Sequence, residues 1–484
     1  MISFYLTLLF PFLGALLMLG IGNTKNAGCY NIIIAIASFI ASIFMVHYFF
    51  QHGPFLAIGQ QFYIDALNLL FIVLTTFVVM TTAFFSYSFM QDNITTGRIS
   101  NKHLHLYHVM YQLFALMMLV ALTANNIGIL WVAMEGATLT TVLLISLYRT
   151  KKAIEASWKY FILCIVGIAL ALFGTVLVYF SATQDLSQNE ARILWNVLAN
   201  HASHFDPSVI KIAFIFLLVG YGTKIGLVPL HNWLPDTYTE SPAPVSALLS
   251  GLLSNVALYA LLRFKIITDL TLANNLAGNL MMVFGLLSFI VAVVLLQRQN
   301  NIKRLFSYSS IEHMGLITFA FGMGGPITTF IGLFYMLVHS LTKSAIFVII
   351  GNIVQKTGVL TLEKIRGLIK SQPKLGWALL AATLIITGIP PFGIFTSELL
   401  LFITCVKILP LLAIILVCGL IMALAGLLRN IQPVVYGEPI EIIKSPICLT
   451  PAILHLSLVL ILGIYIPPLL QQLLQQAVGL VAGP

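Results

Sequence analysis

Apolar stretches of about 20 residues recur along the whole chain with short connections between them, and no other feature limits its fold so tightly. Backbone N–H and C=O groups find no water in hydrocarbon, so a spanning segment must satisfy them internally as helix. About 20 residues rising 1.5 Å each cross roughly 30 Å. Windows of that length predict spans near 2–22, 31–50, 64–90, 107–122, 125–148, 158–182, 209–230, 242–266, 276–297, 307–323, 327–354, 376–404, 408–428 and 449–470. The predicted class is therefore an all-α polytopic membrane protein of about fourteen transmembrane helices, a single membrane domain over 1–484 with no soluble domain. Charged residues are 8% of the chain, against roughly 25% in soluble domains. No basic residue precedes the run Ile2 to Gly20, which reads as a first membrane helix and not as a cleaved signal.

Basic residues test the count, because cytoplasmic loops accumulate Lys and Arg. Alternating loops put sixteen on one side: Lys25, Arg98, Lys102, Arg149, Lys151, Lys152, Arg298, Lys303, Arg304, Lys356, Lys364, Arg366, Lys370, Lys374, Arg429 and Lys444. The other side receives five: Arg192, Lys211, Arg263, Lys265 and Lys407. This split supports fourteen spans with both termini on the non-cytoplasmic side. The net charge of +9 then reads as topology and contact with an anionic leaflet, and no nucleic-acid partner is expected.

Two spans are interrupted. The seventh carries "KIGLVPLHNWLPD" (224–236), with Gly222, Gly226 and Pro229 around its break, and the twelfth carries "TGIPPFGIF" (387–395), with Pro390 and Pro391 adjacent. Proline removes a backbone donor and obstructs the carbonyl one turn back, so such helices unwind and their freed backbone needs protein or water around it. Breaks five spans apart predict two inverted repeats, spans 4–8 (107–266) and 9–13 (276–428), after three N-terminal helices (1–90) and before a last helix (449–470).

Few charges lie well inside a predicted span: Glu135, Lys224, Lys343 and Glu398. A charge at mid-bilayer costs at least roughly 2.5–3.5 kcal/mol, so each needs a partner, a wet cavity or a neutral state. Glu135 also reads as a glutamate bonded to a neighbouring helix, and Lys224 as a cation tying down carbonyls freed at Pro229. Tyr335, His339 and Lys343 fall at i, i+4 and i+8, one polar stripe that reads as a proton wire where a lone histidine would read as packing. Glu398 is placed to end that wire by trading protons with Lys343 or with solvent. Glu312 and His313 are expected nearer the cytoplasmic end of span ten, in an interfacial or proton-intake role, and His231 lies in the first break. Cys29, Cys164, Cys405, Cys418 and Cys448 show no C-x-x-C spacing, and nucleotide, zinc-protease and serine-hydrolase motifs are absent, so no cofactor or metal is expected in this chain.

Four stretches carry a resemblance: "MEGATLTTVLLISLYRTKKAIEASWKYFILCIVGIALALFGT" (134–175), "GTKIGLVPLHNWLPDTYTESPAPVSALLSG" (222–251), "NIKRLFSYSSIEHMGLI" (301–317) and "GIPPFGIFTSELL" (388–400). The chain resembles the antiporter-like membrane subunits of respiratory complex I, Mrp-type cation/proton antiporters and membrane-bound hydrogenases. It is most similar to the hydrogenase-4 component F branch. The resemblance implies roles in proton movement for Glu135, Lys224, His339, Lys343 and Glu398. It also implies partners: other membrane subunits, homologous antiporter-like subunits among them, and a redox or hydrogenase module. Relatives often place a histidine or lysine on the eighth helix; this chain offers Ser250 and Asn255, so a link between its halves needs water or another group. The sequence ends fourteen residues after the last predicted span, without the lateral helix of the distal complex I subunit.

The expected function is a proton-translocating subunit of a hydrogenase-4-like or complex I-like assembly in the inner membrane. A Na⁺(K⁺)/H⁺ antiporter subunit of an Mrp-like complex and a structural membrane scaffold are the alternatives, with a membrane subunit of a two-component inorganic-carbon uptake system ranked below them.

Overall fold

The computed structural model describes residues 1–24, 26–185, 192–272, 274–439 and 447–483; Lys25 and Lys444 of the basic-residue distribution lie outside them. The chain opens with α1 (Ile2–Ile21) and α2 (Ala27–His52), then β1 (Phe55–Ala57) and β2 (Phe62–Ile64), and continues with α3 (Ala66–Thr95), α4 (Asn101–Thr123), α5 (Ile127–Ile145) and α6 (Lys151–Asp185). A short α7 (Trp195–His201) precedes α8 (Pro207–Ile225), α9 (Trp233–Glu240), α10 (Ala243–Leu248) and α11 (Ser254–Thr271). Next come α12 (Leu276–Leu296), α13 (Ile302–Met323), α14 (Pro326–Thr357), α15 (Leu368–Ser371), α16 (Pro373–Ile386), α17 (Gly393–Ile408), α18 (Pro410–Tyr436), α19 (Thr450–Ile464) and α20 (Pro468–Ala482).

Among the described residues eleven helices are long and apolar enough to cross a membrane, twelve if α19 and α20 count as one bent span. The difference from fourteen has local causes. Ser307, Ser309, Ser310, Glu312 and His313 make α13 too polar for that criterion although it is 22 residues long. The twelfth window is two helices of 14 and 16 residues. The window at 449–470 is not one straight helix: the chain bends by 76° between α19 and α20. The β1–β2 hairpin, an antiparallel ribbon pairing Phe55 with Ile64, is an addition to the all-helical expectation.

Caps fix where helices begin. Asn126 accepts from the backbone N–H of Gly128 and Ile129, Asp206 from Ser208, and Asn301 from Lys303 and Arg304. The cap on α3 is Asp65, in a reciprocal box with Asn68. That same carboxylate takes two hydrogen bonds from Arg263, at 2.7 and 2.9 Å, while the guanidinium lies 4.3 Å from the Trp195 ring. Arg263 and Lys265, counted above with the loops of one side, are helical: α11 runs on to Thr271, and both are buried.

Burial separates centre from rim. The most apolar 18-residue windows of α14 and of 243–271 are wholly buried, whereas those of α1, α2 and α18 are one-third buried. Phe44, Leu411 and Ile414 are among the large side chains left on outer faces for lipid or a partner to cover. Between α12 and α13 the backbones nearly touch: a Cβ on Gly285 would sit 2.6 Å from the Gly315 carbonyl oxygen. Glycine permits that approach, and it presses α13 into the interior.

Candidate functional site

The seventh span breaks at Gly226, between α8 and α9. Gly226 ends α8 at φ +89°, a left-handed conformation that suits glycine, and Val228–Pro229 is cis. Side chains satisfy the freed backbone: Trp233 Nε1 donates to the Thr223 carbonyl at 2.8 Å, and Val228 N–H donates to Ser288 Oγ on α12 at 2.9 Å. His231 is buried in this break, its Nδ1 without a hydrogen-bond partner and its ring 6.5 Å from that of Tyr308.

One turn before the break, the fully buried Lys224 reaches α5. Its Nζ donates to the Met134 carbonyl at 2.5 Å and to the Thr138 hydroxyl. Glu135 lies between those two positions in sequence but is not the lysine's partner: none of the ion pairs among the described residues joins them. The Glu135 carboxylate is half-buried, and its Oε2 has no hydrogen-bond partner. Lys224 is parked on a helix carbonyl beside a carboxylate it does not touch.

A second and larger cluster joins α13, α14 and α17. Pro390–Pro391, cis like the first break, separates α16 from α17. Gly388 turns there at φ +69°, with the Glu398 carboxylate packed where a Cβ would be. Tyr335 donates to Glu398 Oε1 at 2.8 Å, and His313 Nδ1 lies 2.6 Å from the same hydroxyl. A hydroxyl has one proton to give, so His313 Nδ1–H is the donor to Tyr335 and the tautomer is fixed. The rings of His313 and His339 are 5.5 Å apart. Lys343, one turn beyond His339, donates to the Phe306 carbonyl at 3.0 Å and to Ser309 Oγ at 2.9 Å. Each lysine thus rests on one carbonyl and one hydroxyl of a neighbouring helix.

Two sequence expectations need correcting. Glu312 and His313 are not near a helix end: α13 begins at Ile302, so both sit at mid-helix and are buried, and His313 is the central member of the cluster. A hydropathy window skips the basic start of α13, which displaced them. Glu398 does not meet Lys343 directly; it bonds to Tyr335, at the far end of the row Tyr335, His339, Lys343. Unpartnered polar atoms concentrate here: both nitrogens of His339, Nε2 of His313, Oε2 of Glu312 and Oγ of Ser344.

Between the two clusters the eighth span carries no ionisable side chain at Ser250 or Asn255. It carries instead a π-helical turn, Leu249–Leu253. Ser340 on α14 donates to the Gly251 carbonyl at 2.5 Å, and Asn255 Nδ2 donates to the carbonyls of Met336 at 3.0 Å and Gly251 at 3.3 Å. Ser250 stays within its own helix, 3.4 Å from the Ala247 carbonyl. Widened turns of this kind loosen the helix ladder, and here the seam between α10–α11 and α14 is polar but uncharged.

Comparison with known proteins places this geometry among relatives. The family described as "NADH:quinone oxidoreductase/Mrp antiporter, TM" matches residues 124–423. The hydrogenase-4 component F homolog of Methylacidiphilum infernorum (isolate V4) is 47% identical over 463 residues, which cover 95% of this chain and 96% of that protein. A chain of the membrane-bound sulfane sulfur reductase, an archaeal respiratory membrane complex, matches with a TM-score of 0.89 at 23% identity, covering 99% of this chain and 97% of that one. A chain of the Mrp complex from Dietzia sp. DQ12-45-1b matches with a TM-score of 0.87 at 20% identity, covering 100% and 98%. At these identities the two structures speak for the fold alone.

Proposed function

The chain belongs to the NADH:quinone oxidoreductase/Mrp antiporter family, and from that premise we propose that its two buried clusters form a proton relay. It is a multi-pass antiporter-like membrane subunit of the proton-translocating kind. The finer reading is membership of a hydrogenase-4-like or complex I-like assembly in the inner membrane, both termini on the non-cytoplasmic side. The printed name of the 47% identical relative supports the hydrogenase-4-like assembly, and the sixteen-to-five split of basic residues supports the orientation.

The single observation that carries the relay is the continuous bonded chain Glu398, Tyr335, His313. A proton arriving at His313 Nε2 lets Nδ1–H pass to Tyr335 while the Tyr335 hydroxyl proton passes to Glu398, so no group has to travel. Between His313 and His339, at 5.5 Å between ring centroids, one water completes the path. Lys343 stands one turn further on and exchanges with His339. In the other half, Lys224 alternates between its resting site on Met134 and Thr138 and the free oxygen of Glu135.

Moving one charge against 100 mV costs about 2.3 kcal/mol. We take the energy to come from redox chemistry in partner subunits. Glu398→Gln in the assembled complex tests the reading: proton transport falls while assembly and the partner's redox activity in detergent persist. Transport equal to wild type would remove the chain's acceptor and with it the proposal.

A further inference from the structure

Two cavities open on the side of the molecule that carries the basic loops, and they share a wall. One, of about 320 Å³, is lined by Lys152, Glu155, Asp236 and Arg304; the other, of about 310 Å³, by Arg98, Tyr148, Gln355 and Lys303; Thr239 and Glu240 line both. Glu240 ends α9, the second piece of the broken seventh span, and is half-buried. Of its two acidic neighbours in the first cavity, Asp236 pairs with Lys159 at 2.5 Å and also with Arg304, and Glu155 is exposed at the outer rim. Among the described residues no ion pair within 4.0 Å engages Glu240.

Behind Glu240 stands Lys303, a buried amine in the second cavity's wall. Its Nζ donates to the carbonyls of Ser241 at 2.6 Å and Thr239 at 3.3 Å, the residues on either side of Glu240. Two acceptors suit the two N–H bonds of a neutral amine and leave its lone pair free; an ammonium has a third N–H to place. Lys303 belongs to α13, and the next two turns of that helix supply the Phe306 carbonyl and Ser309 hydroxyl on which Lys343 rests. The amine of Lys303 and the resting place of Lys343 therefore follow one another along α13, with Glu240 of α9 flanked by the two carbonyls that hold the first.

We infer that Glu240 is the proton-exchange group at the basic-side mouth of this protein, loading the α13–α14 column by way of Lys303. Water in the cavities protonates the carboxylate. Across a bridging water in the cavity the acid gives that proton to the lone pair of neutral Lys303, forming the ammonium and restoring the carboxylate. The ammonium returns to the amine as the proton moves on toward Lys343. The charged groups that face this step are Lys303 from α13, Arg304 beside it, Lys152 and Glu155 from α6, Asp236 from α9 itself and Arg98 beyond α3. The inference rests on the relay proposed above.

The test uses the assembled complex in sealed membrane vesicles. Glu240→Gln slows proton transport about tenfold or more and flattens its dependence on pH at the basic-loop side, while Glu240→Asp stays within about threefold of wild type. Glu240→Cys, with the exposed Cys29 and Cys418 replaced by serine, reacts with a membrane-impermeant methanethiosulfonate applied from that side only. Lys343→Ala is run in parallel. If Lys343→Ala stops transport while Glu240→Gln keeps wild-type rate and pH profile, or if the thiol of the Glu240→Cys variant is labelled only from the opposite side, the inference is wrong and the relay stands. If Lys343→Ala transports normally, the relay fails and the intake group with it.

Discussion

Tyr335 on α14 donates a hydrogen bond from its hydroxyl to Glu398 on α17 across 2.8 Å of buried space. The bond exists because the twelfth span breaks at Pro390–Pro391 and restarts at Gly393, which brings the carboxylate back against Gly388 and into reach of α14. A helix break, costly in a membrane, is thereby tied to one hydrogen bond.

Removing that hydroxyl separates wiring from packing. Tyr335→Phe keeps the ring but removes the hydroxyl between His313 Nδ1–H and Glu398 Oε1, which then face each other at 3.7 Å, beyond hydrogen-bond length, a cost of about 1–3 kcal/mol. The expected outcome is a lower Tm in detergent together with proton transport reduced by about tenfold or more. An unchanged rate in a folded variant would show that protons do not use this bridge.

Gly388 offers a test of geometry alone. Alanine there is strained at φ +69° and drives its methyl group into the Glu398 carboxylate. Strain of this kind costs about 1–3 kcal/mol. Thermal unfolding and transport should both fall for Gly388→Ala, whereas alanine at Gly479, where a Cβ meets nothing within 4 Å, leaves both near wild type.

The pair Asp65–Arg263 predicts a loss of stability with no direct part in transport. Arg263→Ala strands a buried carboxylate that also caps α3, and breaking a buried pair costs about 3–5 kcal/mol. Limited proteolysis and yield of the assembled complex report it; Asp65→Asn, which keeps a cap for α3, should be the milder of the two.

A fourth prediction separates transport from scaffolding. Glu135→Gln keeps size and hydrogen bonding, and Lys224 does not lean on the carboxylate in this structure. Normal assembly with transport down by about tenfold or more is expected; defective assembly would favour a structural glutamate.

Particular residues show how far the sequence carried. Helical order and both breaks were legible because Pro229 and the Pro390–Pro391 pair interrupt long apolar runs. So was the stripe Tyr335, His339, Lys343, since four-residue spacing needs no tertiary knowledge. His313 was misplaced because Lys303 and Arg304 resemble a loop in hydropathy, yet Asn301 caps a helix there and Lys303 bonds the carbonyls of Thr239 and Ser241. Arg263 counts with one side's loops in the charge tally although it lies within a span, because its buried partner Asp65 is 198 residues away in sequence. The π-helical turn at Leu249–Leu253 and the resting of Lys224 on Met134 have no local sequence signature; tertiary packing sets both.

The central claim is that Lys343 carries the transported proton. Its most direct test is the initial rate of proton movement into sealed vesicles by the assembled complex bearing Lys343→Ala, normalised to the amount of complex and driven by the same redox turnover. The account predicts a fall of about tenfold or more with the assembly intact. A rate equal to wild type, in a complex whose composition is unchanged, would contradict it.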